Sequence, residues 1–129
     1  MASIFTRIVQ GEIPCYKIAE DADFLAFLDA FPCMKGHTLV IPKKEIDYLF
    51  DLDDDLYVGL MAFAKKIAPA IEAAVPCKRI GVAVVGLEVP HAHVHLMPIE
   101  HVSDMDFSKK KSFSPLEMEE TAALIRSFL

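Results

Sequence analysis

Three of the chain's five histidines, His91, His93 and His95, stand at spacing two inside Pro90-His91-Ala92-His93-Val94-His95-Leu96-Met97-Pro98. An extended strand points successive side chains to opposite faces, so the three imidazoles would share one face and Ala92, Val94 and Leu96 the other. Three chemistries suit such a row. A half-buried strand could simply hydrogen-bond or solvate its histidines, although Thr, Ser or Lys more often fill such positions. A zinc ion could be held, because neutral imidazole is a common zinc ligand. At roughly 3.3 Å per residue the outer two Cα atoms lie about 13 Å apart, so two histidines would ligate one ion comfortably and a third only with strain. In the third chemistry one imidazole attacks an electrophile while its neighbours orient it and bind the developing anion. Spacing alone leaves the metal and covalent readings both open.

The elements that must present this row are legible around it. Ser3 can cap a short helix over Ile4 to Gln10, with Gly11 as its stop and Pro14 shortly beyond. Tyr16 to Ala19 and Phe24 to Leu28, split by the acidic turn Glu20-Asp21-Ala22-Asp23, predict a β-hairpin. A loop from Asp29 to Gly36 leads into a short strand, His37 to Ile41, stopped by Pro42. Asp53, Asp54 and Asp55 complement a helix N-terminus, and Leu56, Leu60, Phe63, Ile67 and Ile71 recur at helical spacing. They predict an amphipathic helix of roughly twenty residues, bent at Pro69 and closed by Pro76. Arg79 to Val85 is almost continuously apolar, as in a strand covered on both faces or paired across an interface. Gly86 turns the chain back so that the histidine strand pairs antiparallel with it. Glu100 to Phe113, with Lys109-Lys110-Lys111, predicts a solvated loop rather than lysines steering phosphates inward. Ser114-Pro115-Leu116-Glu117 is a capping box that starts a helix carrying Met118, Thr121, Ile125 and Phe128 on one side.

The fold class is therefore α+β, with about five antiparallel strands, one long amphipathic helix, a short N-terminal helix and a C-terminal helix. Neither a repeat nor a linker divides residues 1–129, so they form a single domain with 114–129 as a C-terminal helical extension. A net charge of −6 argues against a broad nucleic-acid or anionic-membrane footprint and leaves room for a nucleotide at a local donor-rich site. The N-terminus lacks a signal-peptide core and no run reaches transmembrane length, so a cytoplasmic location is expected. Cys15, Cys33 and Cys77 are widely spaced and odd in number, which suits reduced thiols.

The histidine segment, taken with three others, resembles the histidine triad (HIT) family, in particular its nucleoside-phosphoramidase branch. The others are Ile4-Phe5 through Ile8 to Gly11-Glu12-Ile13-Pro14, Leu25-Ala26-Phe27-Leu28-Asp29, and Gly36-His37-Thr38-Leu39-Val40-Ile41-Pro42-Lys43-Lys44. The resemblance implies that His93 is the nucleophile. It would attack the α-phosphorus of a nucleoside monophosphate joined to an amine or phosphate, and water would then hydrolyse the nucleotidyl-histidine. It implies that His95 donates a hydrogen bond to the phosphate or leaving-group oxygen, and that His91 and His37 complete the network and fix tautomers. Asp29 would accept from the ribose hydroxyls, while Phe5, Ile8, Ile13 and Phe27 would form the base pocket. A purine nucleotide substrate, a homodimer and no bound cofactor are further implications.

This chain departs from the family pattern in three places. Gly86 is followed by Leu87 and Glu88 where the family often has a glutamine and a small hydroxyl residue serving the phosphate. The family's phosphate-side asparagine has no counterpart. Ser3, Thr6 and Glu45 stand where some members hold structural zinc, which argues against a metal there. Two rival functions follow from the residues: a zinc hydrolase using two triad histidines plus His37 or His101, and a nucleotide-binding module in which Leu87 and Glu88 have weakened catalysis.

Overall fold

Residues Phe24–Leu28 (β2) and Thr38–Pro42 (β3) are buried along their whole lengths, and their side chains sort alternately into two cores. Phe24, Ala26, Leu28 and Val40 enter the larger core, while Leu25, Phe27, Leu39 and Ile41 enter a smaller one on the opposite face. In the computed structural model, which describes residues 1–129, β2 and β3 are the centre of a five-stranded antiparallel sheet. The remaining strands are β1 (Lys17–Glu20), β4 (Arg79–Ala83) and β5 (Val94–Ile99), in the spatial order β1-β2-β3-β5-β4. The α+β expectation holds, hairpin included.

The larger core is covered by α2 (Asp54–Ala74) and α3 (Pro115–Arg126). Asp53 caps α2 by accepting from the Leu56 amide at 2.8 Å, with Asp54 and Asp55 in the first turn. The buried face continues through Pro69, from Ile67 to Ala70, Ile71 and Ala74. In α3 the expected capping box is present, and Met118, Thr121, Ala122 and Ile125 are buried. Phe128 lies beyond the last helical residue and is exposed, so it does not extend that face as its spacing had predicted. The smaller core is covered by α1 (Ile4–Val9), whose Phe5 packs against it. Gly11, at φ +80°, ends that helix as expected.

At the edges one of the two alternatives for Arg79 to Val85 fails, and so does the expected start of the histidine strand. β4 is an edge strand with half-exposed side chains, Val82 being 52% exposed, so it is not covered on both faces within one chain. The histidine strand starts late. β5 begins at Val94, because the backbone of the preceding residues is bonded elsewhere: the Ala92 amide donates to the Ile46 carbonyl at 2.7 Å. Only His95 of the three lies in the strand. The alternation of faces nevertheless persists, since Val94 and Leu96 join the larger core and the Phe5 ring on the other face meets His91 and His93.

Candidate active site

Each triad histidine is fixed by a different element. His93 Nδ1 lies 2.7 Å from the His91 carbonyl oxygen. A carbonyl only accepts, so Nδ1 carries the proton and neutral His93 keeps its lone pair on Nε2. Phe5 stands edge-on to the ring at 5.1 Å between centroids, which limits its rotation. The tautomer of His93 is thus set through His91, by its backbone carbonyl rather than its imidazole.

His95 has the opposite tautomer. The Cys33 amide donates to His37 Nδ1 at 3.0 Å, so neutral His37 is protonated on Nε2. That nitrogen faces His95 Nδ1 at 2.9 Å and donates to it, which leaves the His95 proton on Nε2. Gly36, at φ +85°, makes the turn that brings His37 to the start of β3, and a Cβ there would come within 2.9 Å of Val75. Burial is the main reason that His37 and His95 are both pushed down to about 3. Both are therefore neutral at physiological pH. His95 is suited to donating a hydrogen bond from Nε2, and not to releasing a proton as an imidazolium acid.

His91 is fully buried and turned away from the site. Its Nε2 donates to the Pro42 carbonyl at 2.8 Å and its Nδ1 accepts from the Ser3 hydroxyl at 2.8 Å. The Ser3 amide and the Thr6 hydroxyl each donate to Glu45 Oε1 at 2.6 Å. Those bonds, the Thr6 hydroxyl first, pull the Glu45 carboxyl down to about 2. Two hydroxyls, a carboxylate and one imidazole, already bonded to one another, are not a zinc donor set, so these residues do not fit structural zinc.

Asp29, His37 and His95 offer three donor atoms within 4.8 Å of one another, a geometry resembling a metal site. The chemistry of His37 opposes it. A cation on Nε2 needs a lone pair there, and the Cys33 amide holds that lone pair on Nδ1. The Asp29 carboxylate sits 3.5 Å from His37 Nε2, and burial raises its pKa above the usual range. His101 is exposed and does not line the cavity beside the triad.

That cavity has a volume of about 600 Å³. Phe5, Ile8, Ile13, Phe27, Asp29, His93 and His95 all line it, whereas His37 and His91 stand behind it. A space of this size suits a nucleotide-sized ligand. Two of its lining residues, Phe107 and Lys110, come from the stretch expected to be a solvated loop. The Cys33 thiol donates to the Asp106 carbonyl at 3.5 Å and the Lys111 amide to the Pro32 carbonyl at 2.7 Å, and these bonds fold the segment inward. Phe107 then packs edge-on to His95 at 4.6 Å. Nothing in the sequence distinguishes Lys110 from its two lysine neighbours, since the contacts that select it lie some seventy residues away.

Three alternating histidines leading into a strand of an antiparallel sheet, two of them lining such a cavity, define a histidine triad protein. Residues 10–102 match the HIT domain. Adenosine 5'-monophosphoramidase hnt1 of Schizosaccharomyces pombe is 40% identical over 100 residues, covering 76% of this chain and 74% of its own. The solved structure of a HIT-like protein involved in cell-cycle regulation from Bartonella henselae superposes with a TM-score of 0.86 at 32% identity, over 98% of this chain and 96% of that one. A zinc-bound histidine triad family protein from Mycobacterium smegmatis gives 0.85 at 30% identity, over 99% of this chain and 93% of that one. The chain belongs to the HIT family.

Proposed function

We propose that this protein is a nucleotide hydrolase that releases a nucleoside monophosphate from an amine or phosphate leaving group through a nucleotidyl-histidine on His93. The observation that carries the reading is the 2.7 Å contact of His93 Nδ1 with the His91 carbonyl, which leaves Nε2 unprotonated on a residue lining the cavity. Similarity to an adenosine 5'-monophosphoramidase supports the substrate class. His93 Nε2 forms a bond to the α-phosphorus as the bond to the leaving group breaks; the electron pair departs with that group, which is protonated from solvent. The proton on Nδ1 stays on the imidazole, and the His91 carbonyl stabilises the positive charge that develops on the ring. His95 Nε2–H donates to the phosphate oxygens as charge builds on them. Water then attacks the phosphorus, the P–Nε2 bond breaks with its electron pair returning to the ring, the water proton passes to solvent, and neutral His93 is restored.

Asp29 accepts from the ribose hydroxyls, and Phe5, Ile8, Ile13 and Phe27 hold the purine. The free edge of β4, with Val82 half exposed, supports a homodimer formed by strand pairing. None of the cysteines is paired, which accords with a cytoplasmic setting. No helix is long and apolar enough to cross a membrane.

Intact-mass analysis after brief mixing with adenosine phosphoramidate tests the mechanism. An adenylyl adduct is expected in the wild type and in His95→Ala, and not in His93→Ala. Turnover with no adduct in either of the first two proteins would count against a covalent route.

A further inference from the structure

The charges that line the cavity are unbalanced for an anionic ligand. Asp29 and Glu88 contribute carboxylates, and Lys110 is the only lysine or arginine among the lining residues. The wall formed by residues 85–89 offers Leu87 and Glu88, neither of which has a side-chain donor.

Lys110 is held in place by its neighbours and left without a counter-ion. No carboxylate lies within ion-pair distance of it, whereas Lys109 approaches Asp106 at 3.9 Å. Its ammonium stands 5.6 Å from the centroid of Phe107, the ring that packs on His95, and 4.0 Å from Cys33 Sγ. The backbone beside it is tied down by the Lys111 amide bond to Pro32. Its charge reaches the site, opposing the burial that raises the pKa values of Asp29 and Cys33 and adding to the burial that lowers those of His37 and His95. A cation placed at the mouth of an apolar cavity by bonds that do not involve a ligand is preorganised for an anion.

We propose that Lys110 is the phosphate-binding cation of this site, delivered from the segment between β5 and α3 and contacting the anionic oxygens of the nucleotide beside His95. This rests on the nucleotide reading above and deepens it. Base and ribose recognition belong to the residues of the first thirty positions, and the anion to the C-terminal third. Nucleotides are then separated from nucleosides chiefly by one exposed ammonium, so that selectivity is sensitive to salt.

Calorimetric titration of the full chain with AMP and with adenosine tests this. Lys110→Met is expected to weaken AMP binding about tenfold, or ~1.4 kcal/mol, and to leave adenosine within about twofold. Lys110→Arg should retain most of the affinity for AMP. Lys109→Met and Lys111→Met serve as controls and should match the wild type. AMP affinity should fall with added potassium chloride in the wild type and much less in Lys110→Met. Unchanged AMP binding in Lys110→Met would overturn the proposal while leaving the nucleotide reading standing. So would an equal loss for adenosine, which would mark Lys110 as a structural prop. A wild-type protein that binds neither AMP nor adenosine would remove the nucleotide reading and this inference with it.

Discussion

His37 Nε2 donates to His95 Nδ1 across 2.9 Å, and the direction of that bond is dictated one step further back by the Cys33 amide. Two main-chain groups therefore write the protonation pattern of the site: the His91 carbonyl protonates His93 on Nδ1, and the Cys33 amide, acting through His37, protonates His95 on Nε2. One imidazole is left with a free lone pair on Nε2 and its neighbour with an N–H there. The two tautomers are opposite and neither depends on a ligand.

The first prediction concerns His37. Nitrogen-detected NMR of the wild type should show His95 protonated on Nε2 and His93 on Nδ1. In His37→Ala the orienting donor is gone, and kcat should fall by about 10- to 100-fold, by analogy with the loss of a group that orients a metal-bound histidine. KM should change little, because His37 stands behind the cavity wall. A wild-type His95 protonated on Nδ1 would refute the relay.

Ser3 carries a second, purely structural prediction. Its hydroxyl accepts from the Thr6 amide at 3.0 Å as the cap of α1 and donates to the buried His91 Nδ1 at 2.8 Å. Ser3→Ala removes the cap, at about 1 kcal/mol, and strands a buried acceptor, at about 1–3 kcal/mol. Urea unfolding should show a loss of about 2–4 kcal/mol. Ser3→Thr keeps both bonds and should lose far less. A loss below half of that range in Ser3→Ala would mean that water replaces the serine at His91.

These relations show what the sequence carries and what it does not. The elements were legible wherever a local rule governs them: the Ser3, Asp53 and Ser114 caps, the period of α2, and the alternation in β2 and β3. Resemblance supplied Phe5, Ile8, Ile13 and Phe27, which periodicity alone would place in the core, and it supplied Asp29 as well. Misreadings arose where long-range bonds decide. The ladder begins at Val94 because Ala92 bonds to Ile46, and Lys110 reaches the cavity because Lys111 bonds to Pro32. Neither pairing leaves a local signature. Beyond the Ser3 cap, Ser3, Thr6 and Glu45 stand out in the sequence only as the wrong residues for zinc, and their bonds to one another and to His91 required the fold.

Glu88 yields a prediction opposite in sign to that for Lys110. It is exposed, lines the cavity, and its charge raises the pKa of Asp29. A carboxylate there repels an incoming phosphate, and solvent screening keeps the effect modest. Glu88→Gln removes the charge at nearly constant shape, so kcat/KM for adenosine phosphoramidate should rise about two- to fivefold at low ionic strength, an effect of up to ~1 kcal/mol. The gain should shrink as salt is added. A fall in kcat/KM would instead make Glu88 a participant, for example by binding a cationic leaving group.

Stability should fall as the solution is acidified from neutrality, beginning well above the carboxylate range. His37 and His95 have folded values of about 3 against an ordinary imidazole value of 6.5. Below 6.5 the unfolded chain takes up protons that the folded one refuses, so stability is complete above that value and declines towards about 3. Glu45 adds to the decline at lower pH. Its folded value of about 2 lies below the ordinary 4.5, so its contribution is present above 4.5 and lost as pH falls towards 2. Asp29 acts in the opposite sense, since burial raises its pKa and protonation relieves it. One carboxyl does not offset two imidazoles displaced this far, and the net slope should follow the histidines. Thermal unfolding should therefore give a clearly lower Tm at pH 5, where most of the Glu45 contribution is still present, than at pH 7.5. His101→Ala, which removes an exposed histidine, should leave that difference unchanged. An equal Tm at the two pH values would show that His37 and His95 take up protons in the folded state, and the neutral donor assigned to His95 would then have to be given up.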